Sequence, residues 1–378
     1  MATLARAQAN LGAQVTVLCV NHERSGRDVT WSGLAPTGTR VETQDRVLVV
    51  RLGRLASVAK LDVCAGLVGF FGRLRKSPPD IVHLHVPNPT MLLALATAPI
   101  PAPLIVTYHS DIVLQRLRAA ALHVFERRVL GRAARILCTS PKYAEGSTEL
   151  SRYRRRVEVL PFGIDLEPYV SPSPAALAER DRLLRAHGSP LWLCVGRLVY
   201  YKGLKNAVAA LPHVPGKLLM VGTGPLRGPI ERQASALGVA QRIVWLDRVS
   251  PVELQGAYRA ATALWFPSNA RSEAFGLVQV EAMASGCPVI NTAISHSGVS
   301  WVSSHGESGL TIPVDDPAAL ARAARLLATD HELRDRLAAG AVRRATTEFD
   351  HRVMARRSLA LYEEVMTPGA EPYALETS

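Results

Sequence analysis

Apolar and polar positions follow two different periods along this chain, and the two periods alternate. Short apolar runs rich in β-branched residues are separated by longer segments in which apolar residues recur every three or four positions. This alternation is typical of βαβ units stacked around parallel sheets. The first half predicts strands at 14–20, 46–51, 80–85, 104–109, 135–139 and 157–160. The second half predicts strands at 191–195, 217–221, 242–246, 263–266, 288–290 and 310–312.

One segment interrupts this rhythm near the middle of the chain. Residues 167–174 read EPYVSPSP, and a polar helical pattern at 175–187 precedes the next apolar strand. A chain of 378 residues also exceeds the size of one ordinary α/β domain. We therefore expect an α/β fold with two Rossmann-like domains, at 1–170 and 188–348. A C-terminal helix at 349–366 is expected to pack back toward the first domain.

Composition narrows the class of protein. Hydrophobic residues make up 48% of the chain and charged residues 20%, which is typical of a globular protein with a large core. The five cysteines are scattered and show no zinc-binding spacing, as expected of a reducing, cytoplasmic location. The most apolar stretch, 91–106, is interrupted by three prolines and is too short to cross a membrane, so any membrane contact would be peripheral.

Positive charge is concentrated in the first half. The net charge is +12, and residues 1–170 carry 22 Lys and Arg against 13 Asp and Glu. A basic surface of this kind suits a membrane, a diphosphate-bearing acceptor or a nucleic acid, although a solvated helix face would read the same way. The arginines form two clusters: Arg116, Arg118, Arg127, Arg128, Arg132 and Arg135, then Arg152, Arg154, Arg155 and Arg156.

The strongest local motif is the segment 273–288, EAFGLVQVEAMASGCP. Glu273 and Glu281 lie eight residues apart, and Phe275, Gly276 and Leu277 would open a helix between them. The free N–H groups at such a helix start can bind a diphosphate, and Glu281 could then accept hydrogen bonds from a ribose diol. The alternative is a solvated glutamate on an amphipathic helix.

A second motif, VGRLVYYKG at 195–203, combines a strand end, a turn at Gly196 and two cations. Arg197 offers a forked guanidinium and Lys202 a point charge, which suits a leaving nucleoside diphosphate. Surface salt bridges are the alternative. Gly222 and Gly224 in VGTGPL either contact the nucleotide or simply form the strand-to-helix turn.

Together with DIVHLHVPNP, TYHSDIV, LPFGID and HGESGLTIPV, these motifs give the chain a clear resemblance to glycosyltransferase family 4. The resemblance covers nearly the whole chain. It implies the GT-B fold, in which two Rossmann-like domains face each other across a cleft, the first on the acceptor side and the second binding the donor. It also implies a retaining transferase that uses a nucleoside-diphosphate sugar.

Residue roles follow from the resemblance, position by position. It implies that Glu273 contacts the donor sugar, that Glu281 holds the ribose, and that Arg197 and Lys202 neutralise the diphosphate. His109, in TYHS, would orient the transferred sugar. No cofactor or metal is implied, because no Asp-x-Asp lies in the crevice and the two cations would replace a metal ion.

The sequence departs from the usual family pattern at three places. Asp247 stands where a glycine is common beside the base pocket, the segment 293–297 reads AISHS in place of a Gly/Thr-rich loop, and Phe162 stands where Asn is common. The first departure concerns the base, the second the contacts to the donor and the third the acceptor. Our first expectation for the donor is a GDP-mannose-like sugar.

The expected function is transfer of a sugar to a glycan or polyprenyl-diphosphate-linked acceptor in bacterial envelope polysaccharide or lipopolysaccharide synthesis, with peripheral contact to the anionic inner face of the membrane. A GT-B epimerase is one alternative. A non-catalytic basic binding protein is another, but no aromatic residues interleave with the arginine clusters, so no nucleic-acid partner is expected.

The start of the sequence carries an expectation of its own. Residues 1–11 read as a helix and 15–20 as the strand that follows it, whereas a doubly wound domain needs a strand before that helix. We therefore expect the native protein to have roughly 20–30 further N-terminal residues, enough for a strand and a Gly-rich loop.

Overall fold

The computed structural model describes residues 2–22, 37–58, 61–109 and 116–367. The chain divides into two units. Unit 1 comprises Met1–Thr139, Ser147–Leu160 and His351–Ser378, and unit 2 comprises Ser140–Gly146 and Pro161–Asp350. Unit 1 is thus assembled from both ends of the chain.

Fifteen β-strands lie in the described ranges. In chain order they are β1 Thr16–Val20, β2 Arg40–Gln44, β3 Val47–Leu52, β4 Ala56–Val58, β5 Leu61–Val63, β6 Val82–Val86, β7 Leu104–Tyr108, β8 Arg135–Cys138, β9 Val157–Val159, β10 Leu191–Val195, β11 Lys217–Val221, β12 Ile243–Asp247, β13 Ala263–Phe266, β14 Val289–Thr292 and β15 Gly309–Ile312.

The same ranges contain fifteen α-helices. In chain order they are α1 Ala2–Asn10, α2 Gly66–Lys76, α3 Pro89–Thr97, α4 Arg116–Arg132, α5 Pro141–Gly146, α6 Glu167–Val170, α7 Pro174–His187, α8 Leu204–Ala210, α9 Arg227–Ala236, α10 Pro251–Ala260, α11 Leu277–Ala284, α12 Val299–Val302, α13 Pro317–Thr329, α14 His331–Glu348 and α15 His351–Met366. Short 3₁₀ turns lie at Leu150–Arg156, Tyr200–Lys202, Leu211–His213 and Ala240–Arg242.

Unit 1 contains two main sheets. β6, β7, β8 and β9 form a parallel sheet in that order, and β1, β3 and β2 form another, in which β1 and β3 are parallel and β2 is antiparallel to β3. All six strands predicted for the first half are present as β1, β3 and β6 to β9, so those predictions are confirmed. β1 and β6 lie at the ends of their sheets. The further N-terminal strand stays a prediction.

The sequence patterns missed β2 and the β4–β5 hairpin. β2 reads RVETQ and is largely exposed, so it carries no clear alternation of apolar residues. Its two-residue turn to β3 is formed by Asp45 and Arg46, with φ of +47° and +67°. This is the left-handed conformation of a hairpin turn, but the residues are not the Asn-Gly or Asp-Gly pair that marks such turns in sequence.

Helices α1 and α15 close one side of unit 1. Leu4 and Ala7 of α1 pack with Ile105 of β7 and with Met354 and Ala355 of α15. Gln8 Nε2 of α1 donates to Ser358 Oγ of α15 at 2.9 Å. Arg135 of β8 pairs with Glu158 of β9 at 2.7 Å and with Glu364 of α15 at 2.5 Å. The C-terminal helix therefore completes the core of unit 1.

Unit 2 contains one parallel six-stranded sheet in the order β12-β11-β10-β13-β14-β15. All six strands predicted for the second half are confirmed, and a buried apolar cluster lies on each face. The strand order reverses between β10 and β13. In open α/β sheets, ligands bind beyond the carboxyl ends of the strands at such a reversal.

None of the helices in the described ranges has both the length and the apolar character needed to cross a bilayer.

Candidate functional site

In unit 2, the loops that follow β10 and β13 approach each other closely at the strand reversal. Gly203 has φ of +61°, and a Cβ built on it would lie 1.8 Å from the carbonyl oxygen of Pro267. Gly196, with φ of +138°, has the Lys202 side chain beside it, 3.4 Å from the position of a Cβ. A side chain at Gly203 would push the two loops apart, so this glycine lets Lys202 approach the β13 loop. At Gly196 the positive φ itself favours glycine.

Lys202 and Glu273 form an ion pair there. Lys202 Nζ contacts Glu273 Oε2, and the two side chains are only 14% and 11% exposed. Ser268 Oγ also donates to Glu273 Oε2 at 3.3 Å, and Lys202 Nζ lies 4.9 Å from the centre of the Phe266 ring. The sequence analysis expected Lys202 to contact the diphosphate and Glu273 to contact the sugar of the donor. In the structure the two side chains neutralise each other, and both are largely shielded from solvent.

Arg197 lies apart from this ion pair. Its side chain is exposed, and Nη2 donates to the hydroxyl of Tyr201 at 3.3 Å. The sequence placed Arg197 and Lys202 in one clamp, but only Lys202 is joined to Glu273 here. The role of Arg197 at a diphosphate stays a prediction.

Helix α11 begins at Leu277, as the motif predicts, with Gly276 as its N-cap. Gly276 has φ of +80°, and a Cβ on it would lie 2.6 Å from the Phe266 ring. Leu277 is 41% exposed, whereas Phe275 is buried and packs edge to face on Phe162 at 5.2 Å. The backbone at the start of α11 is therefore fixed by packing on both sides.

A buried polar network supports this helix start. Gln279 Nε2 donates to the carbonyl oxygens of Phe275 at 2.9 Å and Val299 at 3.3 Å, and its Oε1 accepts from Asn291 Nδ2 at 3.0 Å. The sequence analysis did not select Gln279 or Asn291. A polar residue at a buried helix position, in LVQVEA, was the available signal.

Glu281 lies just over one turn into α11, four residues after its first residue, Leu277. Tyr258 of α10 donates its hydroxyl to Glu281 Oε2 at 2.7 Å. The hydroxyl of Tyr169, on α6, lies close enough to this carboxylate to lower its pKa. Burial raises the pKa of Glu281, and the two hydroxyls oppose that shift. Neither tyrosine was selected from the sequence.

Gly222 and Gly224 pack their loop against the one that follows β10. A Cβ on Gly222, with φ of +131°, would lie 2.0 Å from the carbonyl oxygen of Gly196, and one on Gly224 would lie 2.6 Å from that of Leu198. This close approach accounts for both glycines without a ligand. Their contact with a nucleotide stays a prediction.

Asp247 ends β12 in the left-handed region, with φ of +40°, which is the conformation a glycine would adopt easily. Its Oδ1 lies 2.5 Å from Arg227 Nη1, and the Arg227 guanidinium lies 3.7 Å from the centre of the Trp245 ring. The side chain of Asp247 is 60% exposed. The departure from the family pattern thus adds an exposed carboxylate that is held by a stacked arginine.

In unit 1, three histidines form a row at the ends of β6 and β7. The strand sequence VHLHV puts His83 and His85 on one face of β6. Their rings stack at 4.4 Å, and His85 stacks on His109 at 5.2 Å. His85 Nδ1 and His109 Nε2 share a hydrogen bond of 3.0 Å. We refer to His83, His85 and His109 as the histidine row.

The histidine row is held uncharged near neutral pH. Burial lowers the pKa of His83 to about 3, that of His85 to about 2 and that of His109 to about 4. His83 also hydrogen bonds to Thr107 Oγ1 at 2.6 Å and to the Tyr362 hydroxyl at 2.5 Å. The sequence selected His109 alone; the HLH alternation was the signal for the other two.

The arginine clusters separate into structural and exposed members. Arg156 Nη1 donates to the carbonyl oxygens at the end of α4, and Arg135 makes the two ion pairs described above. Glu149 pairs with Arg127 and Arg152 at 3.5 and 3.7 Å.

Arg154 and Arg155 are exposed, and no ion pair or hydrogen bond of their side chains occurs within the described part of the chain. The side chains of Arg116 and Arg118 lie outside the described residues. Arg154 and Arg155 are thus the exposed members of the second cluster without such a contact in the described ranges, while Arg135 and Arg156 stabilise the fold.

The described residues contain no group of three or more His, Cys, Asp or Glu side chains that could hold a metal ion.

Two family models match the chain. The model described as "Glycosyl transferase 4-like domain" matches residues 1–163, and the one described as "Glycosyl transferases group 1" matches residues 177–344. The D-rhamnosyltransferase WbpZ of Pseudomonas aeruginosa is 34% identical over 282 residues, which is 73% of this chain and 72% of the relative. The O-antigen chain mannosyltransferase C of Escherichia coli is 30% identical over 282 residues, 74% of each chain.

Solved structures share the fold. The sucrose-phosphate synthase of Thermosynechococcus elongatus superposes with a TM-score of 0.72 at 23% identity, over 96% of this chain and 91% of that one. Anabaena Alr3699/HepE in complex with UDP-glucose gives a TM-score of 0.63 at 20% identity, over 79% and 82%. The fold is GT-B, and the epimerase and basic-binder alternatives are not favoured. The chain belongs to glycosyltransferase family 4 and is a glycosyltransferase.

Proposed function

We propose that the chain transfers a sugar, with retention of anomeric configuration, from a nucleoside-diphosphate sugar to an acceptor hydroxyl. One observation supports this most: Lys202, Glu273 and the N terminus of α11 lie together at the strand reversal of unit 2. A cation and free backbone N–H groups suit a diphosphate, and a carboxylate suits sugar hydroxyls.

In the proposed reaction the bond between the anomeric carbon and the diphosphate oxygen breaks, and its electron pair goes to the diphosphate. The acceptor oxygen bonds to the same face of that carbon and passes its proton to the departing diphosphate. Lys202, Arg197 and the N–H groups of α11 stabilise the charge that grows on the phosphate. Glu273 and His109 position the sugar.

Because these cations belong to the protein, the proposal needs no metal and no cofactor. The donor sugar must displace or share the partner of Glu273, since Lys202 already occupies one of its carboxylate oxygens. Glu281 is proposed to accept the ribose hydroxyls.

The relatives guide the choice of substrates. One is a D-rhamnosyltransferase and another an O-antigen chain mannosyltransferase, so we propose a deoxyhexose or mannose donor, with a GDP-sugar as the first to try. The acceptor proposed is a glycan or polyprenyl-diphosphate-linked glycan of the bacterial envelope, including lipopolysaccharide.

The test is a donor screen. The purified chain is incubated with guanosine, uridine and adenosine diphosphate sugars and an oligosaccharide acceptor, followed by product mass and by NMR of the new linkage. Retained configuration at the anomeric carbon is expected. An inverted linkage would contradict the mechanism, and an epimerised donor without a glycosylated acceptor would favour the epimerase alternative.

We also propose a cytoplasmic location with peripheral attachment to anionic lipid through Arg154 and Arg155. Each cation near such a surface contributes about 1 kcal/mol. Reversing both charges, Arg154→Glu with Arg155→Glu, should reduce binding to vesicles that contain phosphatidylglycerol and leave activity on a short soluble acceptor intact. The matched control reverses the exposed Arg232 and Arg343 of unit 2. Equal loss of vesicle binding in both variants would refute a specific patch.

A further inference from the structure

Glu281 is approached by two tyrosine hydroxyls from distant parts of unit 2. Tyr258 of α10 is fully buried and donates to Glu281 Oε2 at 2.7 Å. The hydroxyl of Tyr169, on α6, lies close enough to the same carboxylate to lower its pKa, and the Tyr169 ring meets that of Tyr258 edge to face at 6.2 Å. The three residues therefore form one connected group, which we call the tyrosine clamp.

We propose that Tyr258 and Tyr169 are positioning residues that hold the Glu281 carboxylate ionised and oriented for the ribose hydroxyls of the donor. The inference rests on the proposed ribose role of Glu281. An ionised carboxylate has about four lone-pair sites on its two oxygens. Two phenolic donors occupy part of that capacity and orient the group, and the remainder can accept hydrogen bonds from a diol.

The clamp opposes an electrostatic cost. Glu281 is partly buried, and burial disfavours its charged form, so its pKa is raised. Both hydroxyls stabilise the carboxylate and lower that pKa. The other titratable groups around the clamp are Asp165, near Tyr169, and Cys287, near Tyr258. Loss of the hydroxyls should therefore raise the pKa of Glu281 further.

The backbone that carries Tyr169 is fixed as well. Arg259 Nη2 donates to the carbonyl oxygen of Tyr169 at 2.5 Å and to that of Val170 at 3.1 Å. α10 thus supplies both Tyr258 and the arginine that holds α6 in place. This arrangement makes the short helix α6 part of the donor site.

The test uses Tyr258→Phe, Tyr169→Phe and the double variant in the full chain. GDP, UDP and ADP are titrated calorimetrically into the wild type, and the tightest is carried forward with its 2′,3′-dideoxy form at pH 6, 7 and 8. Tyr153→Phe is the matched control, because it removes a tyrosine hydroxyl that donates to a carbonyl oxygen in unit 1. Circular dichroism checks that each variant is folded.

The wild type should prefer the ribonucleotide over its dideoxy form by about ten- to a hundredfold, the range of a charge-assisted hydrogen bond. The double variant should bind the ribonucleotide about tenfold more weakly at pH 6, the size expected for a lost charge-assisted hydrogen bond. At pH 8 its affinity should lie closer to that of the wild type, because loss of the hydroxyls raises the pKa of Glu281 and more of the carboxylate is ionised at the higher pH. Affinity for the dideoxy form should change little.

The variant Glu281→Gln distinguishes failure of the ribose role of Glu281 from failure of the positioning role of the two tyrosines. If it abolishes the preference while the phenylalanine variants keep wild-type affinity at every pH, the clamp is refuted and the ribose role stands. If Glu281→Gln keeps the full preference, the ribose role fails and the clamp with it. An equal, pH-independent loss for both nucleotides in the folded variants would mean that the tyrosines act only in packing, which also overturns the proposal. Where Tyr258→Phe does not fold, Tyr169→Phe, at a partly buried ring, decides alone.

Discussion

Two partly buried groups of polar side chains, one in each unit, avoid the cost of buried charge in opposite ways. In unit 2, Lys202 and Glu273 pair a cation with a carboxylate. In unit 1, the histidine row is uncharged, because burial moves all three pKa values far below 6.5. The first arrangement can exchange its partner for a charged ligand, whereas the second offers only neutral hydrogen bonds. In the proposed reaction, unit 2 would therefore supply electrostatic stabilisation and unit 1 neutral hydrogen bonds that position the sugar.

The largest effect is expected from Lys202→Ala. If Lys202 stabilises the departing diphosphate, kcat should fall about a hundred- to a thousandfold, as in deletions of an oxyanion-hole donor. The measurement is turnover at saturating donor. The control is Lys205→Ala, which removes an exposed lysine three residues away on α8.

Wild-type kcat in Lys202→Ala would place the leaving-group cation elsewhere. Glu273 offers a way to sharpen the result. Because Lys202→Ala leaves the Glu273 carboxylate without its cation, adding Glu273→Gln should restore thermal stability but not turnover.

Acid should destabilise unit 1 through its histidines. Their folded pKa values lie below the ordinary value of about 6.5, so the unfolded chain binds protons first as the pH falls. Stability is therefore fully present above about pH 6.5 and is lost as the pH falls toward 4. Between pH 7 and pH 5 each histidine of the row should remove about 2 kcal/mol.

Hydrogen exchange in urea, followed on peptides from β6 and β7, measures this loss at pH 7 and pH 5. His85→Gln should reduce the pH dependence by about one histidine's share, roughly 2 kcal/mol. An unchanged pH dependence in that variant would mean that His85 is protonated in the folded protein, and the contrast between the two units would collapse.

The smallest effect is expected from His109→Ala. A neutral hydrogen bond to the transferred sugar contributes about 0.5–1.5 kcal/mol, so kcat/KM should fall by up to about tenfold. His331→Ala, at an exposed position of α14, is the control. A thousandfold decrease in kcat/KM would show that His109 carries charge in the transition state. An unchanged kcat/KM would show that His109 does not contact the transferred sugar.

Most strands of this chain could be predicted from the sequence because the patterns that mark them are local. Every strand of unit 2 and the start of α11 at Gly276 follow from apolar runs and turn residues. β2 was not readable, since its pattern is polar and its turn uses Asp45 and Arg46 in place of glycine. A strand that packs on only one face has a weaker apolar pattern in its sequence than a strand in the middle of a sheet.

The contacts between side chains inside the site could not be predicted from the sequence. Lys202 and Glu273 are 71 positions apart, and Tyr169 and Glu281 are 112 apart. The motifs identified three of these four side chains, but their contacts depend on strand order and on where α6 is anchored. Tyr169 has no motif of its own, because a tyrosine after a proline in a polar segment is indistinguishable from a loop residue.

The position of α15 in unit 1 has a consequence for biosynthesis. Residues 161–350 of unit 2 are contiguous, so they emerge from the ribosome before His351–Met366, and unit 2 can fold while synthesis continues. Unit 1 begins with α1, whose Leu4 and Ala7 face α15 in the finished protein. Leu4 and Ala7 therefore lack their contact with α15 until residues 351–366 have been translated.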